Sequence, residues 1–306
     1  MANAIEVEGL RKRYGGLEVL DGVGFEVAEG EIFGLLGPNG AGKTTTVECL
    51  QGLRWADAGH LRVFGHDPRR DVRRVRGLVG SQLQESALPD RIKVWEALQL
   101  FATIEGTGRA WEPLLEEWGL AHRRNAAFGD LSGGQRQRLF IALALVGAPR
   151  LVVLDEMTTG LDPAARRDAW DLVAAVRERG TTVLLVTHFM DEAERLCDRV
   201  AVLRGGRIVG TGTPAELVRS TTSEVRVEFS APSAFGLDFL TGIAGATTVT
   251  RRRTGVVVQG TGPLLARVGH ALVERGLEPP DLRVSLPSLE DAYLRLTAPL
   301  DDPVSS

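Results

Sequence analysis

The chain has 306 residues, of which 43% are hydrophobic, and its 36 Lys and Arg against 40 Asp and Glu give a formal net charge of -4. This length and apolar content favour two globular domains, and the acidic balance argues against a nucleic-acid partner, because a phosphate backbone attracts an excess of cations. The N-terminus has no leader pattern and no run of about 18 apolar residues occurs, so we expect a cytosolic chain that does not itself cross a membrane.

The first strands are predicted within the first 30 or so residues. Apolar residues alternate with polar ones there, as at Ile5 and Val7 and again at Phe25 and Val27, with glycines between the two segments. A period of two is typical of half-buried strands, so this region predicts an antiparallel β edge.

A glycine-spaced loop follows the apolar run Ile32 to Leu36. It reads Gly37-Pro38-Asn39-Gly40-Ala41-Gly42-Lys43-Thr44-Thr45 and leads into a helix predicted from Thr44 to Leu53. In such a strand-loop-helix unit, backbone N–H groups and the helix N-terminus face phosphate oxygens. Lys43 then supplies a point charge, and the Thr44 hydroxyl is placed to bind Mg²⁺. The complete pattern predicts a polyphosphate site rather than a turn that only joins strand to helix.

Helical spacing replaces strand character from about residue 90 to 147 and predicts an inserted helical subdomain. Within it, Leu131-Ser132-Gly133-Gly134-Gln135 opens a helix. Ser132 is a good N-cap, and the two glycines expose the first N–H groups. By itself the motif fits an ordinary capped helix start, and beside a phosphate loop it fits a second anion-binding end.

Two further unbroken apolar runs, 151 to 154 and 183 to 186, flank a helix predicted from Pro163 to Arg179. Such runs are typical of parallel strands covered on both faces. Asp155 and Glu156 directly follow the first run, at the sheet edge where the phosphate loop also lies in a doubly wound fold. We predict that Asp155 binds Mg²⁺ and that Glu156 polarises the attacking water.

His188 follows the second run, at the same predicted edge. A neutral imidazole there could hydrogen-bond a γ-phosphate. A helix-capping or core histidine is the alternative, and the residue type alone favours it.

The chain changes character near residue 220. Before that point, Gly205-Gly206 between two short strands predicts a hairpin. After it, the pattern reads strand, helix, strand, strand, helix, strand, with a closing helix from Leu289. We therefore predict domains at 1 to 219 and 220 to 306, the second a small ferredoxin-like α+β domain.

With these motifs in order, residues 3 to about 218 resemble the nucleotide-binding subunit of ATP-binding cassette (ABC) transporters. The resemblance implies an α/β fold of the P-loop NTPase type, with a parallel core sheet, an antiparallel β edge and a helical insert. It also implies ATP and Mg²⁺ as cofactors and ATP hydrolysis as the activity.

The resemblance adds roles that spacing alone does not give. Tyr14 is similar to the aromatic residue that stacks on adenine. Gln84 is similar to the glutamine that contacts Mg²⁺ and water and reports to the membrane partner, with Gln82 the less favoured register. Asp162 is similar to the loop residue that meets the opposite subunit.

Other positions match family motifs already singled out by their pattern. The segment from Ser132 to Gln135 resembles the family signature. Asp155 resembles the magnesium-binding acid, Glu156 the catalytic base and His188 the switch histidine.

Two partners are implied by the same resemblance. In the family, the signature of one chain faces the phosphate loop of another, so we expect a head-to-tail homodimer that encloses two ATP molecules. We also expect a separate integral-membrane permease, bound through a groove between the Gln84 region and the helical insert. That would place the chain at the cytoplasmic face of the membrane.

The added C-terminal domain and the segments 83 to 86 and 155 to 162 resemble exporter ATPases of the daunorubicin-resistance type. A soluble ABC ATPase with a non-transport partner is the alternative, and a ligand-sensing role of the C-terminal domain is a further one. Met157 stands where the family usually has proline, and we expect activity to survive because both carboxylates remain.

Overall fold

The computed structural model describes residues 2–82, 87–106, 108–221, 224–253 and 255–297. Contacts divide the chain into two compact units, Met1–Pro214 and Ala215–Ser306, a few residues before the boundary predicted after residue 219. No helix among the described residues is both long and apolar enough to span a membrane.

The elements alternate along the chain. The strands are β1 (Asn3–Tyr14), β2 (Leu17–Ala28), β3 (Ile32–Leu36), β4 (Ala58–Val63), β5 (Val79–Gln82), β6 (Leu151–Asp155), β7 (Thr182–Thr187), β8 (Arg199–Arg204), β9 (Arg207–Gly212), β10 (Val225–Phe229), β11 (Ala246–Arg252), β12 (Gly255–Gly260) and β13 (Arg283–Ser285). The helices are α1 (Lys43–Leu50), α2 (Val72–Arg76), α3 (Val94–Glu105), α4 (Glu112–Glu117), α5 (Gly133–Leu145), α6 (Pro163–Glu178), α7 (Met190–Leu196), α8 (Pro214–Thr221), α9 (Asp238–Thr241), α10 (Leu264–Val273) and α11 (Leu289–Thr297).

The first unit is built on a six-stranded sheet with the order β5-β6-β7-β3-β8-β9. The pairs from β5 to β8 are parallel, and only β9 runs antiparallel, as the partner of β8 in the predicted hairpin. Every residue of β3, β6 and β7 is buried. This burial on both faces is the physical reason for the unbroken apolar runs in the sequence.

The antiparallel strands at the N-terminus do not form an edge of the core sheet. β1 and β2 are joined by β4 in a separate sheet with the order β2-β1-β4, so the antiparallel edge of the core sheet is β9 instead. The strand pattern of the first 30 residues is confirmed. The pattern of the first 30 residues does not predict that β4 pairs with β1, because β4 comes after the phosphate loop in sequence and four of its six residues are exposed, without the alternation of a half-buried strand.

The helical insert lies in sequence between the paired strands β5 and β6, and it comprises α3, α4 and α5 with two short 3₁₀ turns. It packs back on the sheet at Gly80, where an added Cβ atom would lie 1.8 Å from the carbonyl oxygen of Ala144 on α5. Because the backbones approach this closely, only glycine fits at this position of β5.

The second unit is a β-α-β-β-α-β arrangement with an antiparallel sheet of order β11-β12-β10-β13. This is the strand order of the predicted ferredoxin-like fold. The guanidinium of Arg251 donates to the carbonyl oxygens of Ala231, Pro232 and Phe235. Those bonds give Arg251 a structural role at the start of the unit.

We predict that Gly80→Ala destabilises the first unit by about 2 to 3 kcal/mol, because the added methyl forces β5 and α5 apart. The thermal unfolding midpoint would fall by roughly 5 to 10 °C. Gly77→Ala is the matched control, since Gly77 has an ordinary φ of -72° and its nearest atom would be 3.6 Å from the added Cβ. Equal midpoints for the two variants would contradict the close packing of the insert on β5.

Candidate functional site

The candidate site lies at the carboxyl ends of three neighbouring strands, β6, β7 and β3. β3 ends at Leu36, directly before the glycine loop, β6 ends at Asp155, and β7 ends at Thr187, directly before His188. Since β6 pairs with β7 and β7 pairs with β3 in parallel register, the three ends meet at one edge of the sheet. This edge is where parallel α/β sheets bind ligands.

The glycines of the loop are required by its shape. Gly42 has φ +108°, and an added Cβ would lie 2.6 Å from Leu20 on β2. At Gly37 an added Cβ would lie 2.4 Å from the carbonyl oxygen of Leu203 on β8. Gly40 has φ +79° and is exposed, with open space where a Cβ would lie. The loop is therefore held tightly at both ends and exposed in the middle, as a phosphate site needs.

The hairpin of β8 and β9 supports this loop from behind. The N–H of Gly206 donates to the carbonyl oxygen of Ala41 at 3.2 Å. The sequence predicts the hairpin but gives no sign of this contact, because it joins segments far apart in the chain.

Lys43 closes the loop on itself. Its side chain is 6% exposed, and its ammonium donates to the carbonyl oxygens of Gly37 at 2.7 Å and Pro38 at 3.2 Å. Burial lowers the pKa of Lys43, while the charges of Glu156 and Asp155 act to raise it. A lysine between carbonyl oxygens and two carboxylates has the chemistry to exchange the carbonyls for phosphate oxygens.

The first turn of α1 carries three threonines with different roles. The Thr46 hydroxyl donates to the carbonyl oxygen of Gly42 at 2.9 Å and is buried. Thr44 is exposed and Thr45 is half-buried at the helix start. The exposed Thr44 hydroxyl and the exposed segment from Pro38 to Gly40 are the parts of the loop open to a ligand.

Asp155 is 3% exposed at the end of β6. Burial, and then the charge of neighbouring Glu156, raise its pKa from 3.8 to about 6, and Lys43 acts in the opposite direction. A buried carboxylate whose ionised form is disfavoured gains from a divalent cation, because the cation repays the cost of burial. The donor set of Asp155 and Thr44 thus fits the Mg²⁺ that we predict.

Glu156 and His188 form a pair. The Glu156 Oε1 and His188 Nδ1 atoms lie 3.1 Å apart, and the Glu156 carboxylate is buried while the imidazole is about one-third exposed. Glu156 has φ +50°, a left-handed conformation that is uncommon for a non-glycine residue, and its N–H donates to the carbonyl oxygen of Val186 at 2.8 Å. This contact favours a role of His188 at the nucleotide site over a role as a helix cap.

Met157, which replaces the usual proline, is fully buried. An apolar side chain in the core therefore fixes the chain after Glu156.

The signature motif and the Asp162 loop pack on each other. Ser132 caps α5 through a capping box, in which Gln135 N donates to Ser132 Oγ at 3.3 Å and Ser132 N donates to Gln135 Oε1 at 3.1 Å. An added Cβ on Gly134 would lie 3.2 Å from Ala165 on α6, and one on Gly133 would lie 3.8 Å from Leu161.

Asp162 caps α6, its carboxylate accepting from the N–H groups of Ala164 and Ala165 at 2.9 Å each. Its interaction with an opposite subunit stays a prediction.

Tyr14 ends β1 and is 37% exposed. The guanidinium of Arg54 lies 5.2 Å and the ammonium of Lys12 lies 5.5 Å from the centre of its ring. Strand β1, which ends at Tyr14, pairs with β2, and Leu20 of β2 lies beside Gly42 of the phosphate loop. The sheet that carries Tyr14 therefore borders the phosphate loop. Adenine stacking on Tyr14 stays a prediction.

Gln84 lies outside the described residues. Gln82, the alternative register, is buried at the end of β5, and its Oε1 accepts from Gln137 Nε2 on α5 at 3.2 Å.

We predict that Asp155→Asn stabilises the nucleotide-free protein in a pH-dependent way. Since the folded-state pKa of about 6 lies above the ordinary 3.8, the stability contributed by neutral Asp155 is complete below pH 3.8 and lost as the pH rises through 6. The asparagine cannot ionise, so the advantage of the variant grows over this window and levels off above it, reaching at most roughly 3 kcal/mol. Urea unfolding at a series of pH values measures it, and a constant difference at every pH would contradict the burial of this carboxylate.

Comparison with known proteins gives a consistent assignment. A family model described as ABC transporter matches residues 20–159. The daunorubicin resistance ATP-binding protein DrrA3 of Streptomyces coeruleorubidus is 39% identical over 304 residues, which is 96% of each chain. The Nod factor export ATP-binding protein I of Paraburkholderia xenovorans is 40% identical over 300 residues, 96% of this chain and 97% of the relative.

Solved structures agree on the fold. A structure of the ATP binding subunit of an ABC transporter matches with a TM-score of 0.65 and 31% identity over 71% of this chain and 92% of the other. CbiO1 from Clostridium perfringens, described as part of the ABC transporter complex cbiONQ, matches with a TM-score of 0.64 and 26% identity over 71% and 91%. The predicted α/β fold of the P-loop NTPase type is confirmed, and the chain belongs to the ATP-binding proteins of the ABC transporter family, which bind ATP and are ATPases.

Proposed function

We propose that this chain is the ATP-hydrolysing subunit of an exporter, in which it drives a separate membrane permease. The observation that carries the proposal is the meeting of Lys43, Asp155 and the Glu156–His188 pair at one edge of the sheet. A lysine for phosphates, an acid for a metal ion and a carboxylate paired with an imidazole are the groups that phosphoryl transfer to water requires.

Different residues of the chain would bind the phosphates and the Mg²⁺. The N–H groups from Gly40 to Thr45 and the Lys43 ammonium hold the phosphates, and Thr44, Asp155 and Gln84 hold Mg²⁺. When bound, Mg²⁺ supplies charge neutralisation at the outer phosphates.

Glu156 orients the attacking water and takes up its proton. His188 Nδ1 lies 3.1 Å from Glu156 Oε1, so the imidazole can fix the direction of that carboxylate by donating to it. A second hydrogen bond, from Nε2 to the γ-phosphate, would require the doubly protonated imidazole. No covalent intermediate is needed.

The signature fits a site shared between two copies of the chain. Ser132 and Gly133 are exposed, so the N-terminus of α5 presents N–H groups and a partial positive charge at the surface. A nucleotide held by the phosphate loop of one copy would bind this end of the other. This chain contains both the phosphate loop and the signature motif, which favours a head-to-tail homodimer.

A groove on the first unit suits the permease. It lies between β5 and the helices α3 and α5 and is lined by Leu53, Phe101 and Leu143. Residues 79 to 81 of β5, which shortly precede Gln84 in the sequence, also line it. Leu53 is 54% exposed there. CbiO1 is part of a transporter complex, and a membrane-bound partner in this groove would hold the chain at the cytoplasmic face of the membrane.

The names of the relatives support export as the direction. One concerns daunorubicin resistance and another Nod factor export. We infer that drug-like or antibiotic-like small molecules are the cargo and that the permease selects among them.

We predict that Glu156→Gln forms a stable dimer in Mg-ATP and hydrolyses ATP at least about 100-fold more slowly than the wild-type chain, because the amide cannot take up a proton. Light scattering after size-exclusion chromatography measures the dimer. Two double variants serve as controls: Lys43→Ala in the Glu156→Gln background should stay monomeric because ATP is not held. Ser132→Arg in that background should bind ATP and still stay monomeric.

A Glu156→Gln chain that remains monomeric while it binds ATP would contradict the shared site. Near-normal hydrolysis by Lys43→Ala alone would contradict the assignment of the phosphate loop.

A membrane protein encoded beside this chain would be its candidate permease. We predict that co-expression of the chain with such a membrane protein lowers cellular accumulation of daunorubicin, and that Lys43→Ala does not. Leu53→Asp should abolish co-purification with that membrane protein in detergent, since a charge in the groove opposes docking, while ATP binding persists. Val273→Asp, at a position 57% exposed on α10, is the matched control. Full ATPase activity with neither efflux nor co-purification would favour a non-transport ATPase.

A further inference from the structure

Glu192 is a buried acid that none of the roles above uses. It lies on α7, two residues after the helix begins, and its side chain is fully buried. A buried carboxylate is costly unless it is paired or neutral. The charge of neighbouring Asp191 adds to this cost.

Three neutral polar side chains lie around the Glu192 carboxyl group. Trp170 Nε1 on α6 donates to Glu192 Oε1 at 3.1 Å. The hydroxyls of Thr187 and Thr158 also face the carboxyl group. Thr187 Oγ1 already accepts from the N–H of Phe189 at 3.0 Å, which leaves its proton for the carboxyl group.

Two polar atoms of this cluster are buried without a well-formed hydrogen bond, Thr158 Oγ1 and Glu192 Oε2. Burial raises the pKa of Glu192, and the hydroxyls of Thr187 and Thr158 and the indole of Trp170 act to lower it without reversing the direction. A neutral acid can donate from Oε2 to Thr158 while Oε1 accepts from Trp170. The protonated form thus satisfies both atoms at once.

The two threonines connect Glu192 to the catalytic pair. Thr158 comes two residues after Glu156, whose left-handed backbone has to be held by its surroundings. Thr187 directly precedes His188. One carboxyl group therefore lies near residues of the two chain segments that carry Glu156 and His188.

We propose that Glu192 is a positioning residue for ATP hydrolysis, which ties the segment after Glu156 to the segment before His188 and so holds the two side chains at their contact distance. It does not touch the nucleotide. The inference rests on the proposed roles of Glu156 and His188.

The test compares three variants in full-length chain. Glu192→Ala should lower kcat by at least about tenfold, because small misplacement of catalytic groups is expensive, and leave KM within about threefold. Glu192→Gln, which is neutral and can both donate and accept, should restore kcat to within about twofold of the wild-type value. Thr158→Val, which removes one hydroxyl and keeps the shape, should also lower kcat without changing the affinity for ATP.

Leu196→Ala is the matched control, because Leu196 is buried on the same helix and contributes no polar group to the cluster. It should lower the unfolding midpoint and leave kcat unchanged. If Glu192→Ala does not fold, Thr158→Val carries the test alone.

The proposal is overturned if Glu192→Ala and Thr158→Val keep the wild-type kcat, or if Glu192→Gln is as slow as Glu192→Ala. It is also overturned if Leu196→Ala lowers kcat as much as Glu192→Ala does at an equal loss of stability. Failure of the catalytic assignment itself is recognised separately, by near-normal hydrolysis in Glu156→Gln.

Discussion

The ion cluster of Lys43 with Asp155 and Glu156 is the interaction on which the rest of the site depends. A buried ammonium is tolerated because carbonyl oxygens of its own loop accept its protons and two carboxylates offset its charge. The cluster forms only if β3 and β6 end at the same edge of the sheet, with β7 between them. The parallel order of the core is therefore a condition for the chemistry as well as for the packing.

The same cluster explains why a ligand would rearrange the site. Without one, Lys43 is bonded to Gly37 and Pro38, and the pKa of Asp155 is raised by burial and by Glu156. Phosphate oxygens and a divalent cation would provide better partners for both side chains. Binding free energy is thus available to move the loop and, in the proposed homodimer, the interface between the two copies.

Local features of the site could be predicted from the sequence, and long-range ones could not. The glycine loop, Asp155, Glu156 and the cap at Ser132 are local patterns, and the structure places the loop, both acids and His188 at one sheet edge. The separate sheet of β1, β2 and β4 and the support of Ala41 by Gly206 depend on pairings between distant segments. The sequence does not predict a role for Glu192, because an acid in a helix is ordinarily a surface residue. Only the burial of Glu192 in the structure distinguishes it from other helical acids.

The central claim is that a second copy of the chain completes the nucleotide site. Disulfide cross-linking tests it directly, with Asn39→Cys in one copy and Ser132→Cys in a differently tagged copy, both carrying Glu156→Gln. Cys49 and Cys197 are buried, and burial raises the pKa of both thiols, so they should not interfere. Mg-ATP should produce the mixed cross-linked dimer, and neither variant alone should form it. Absence of the mixed dimer despite bound ATP would contradict the account.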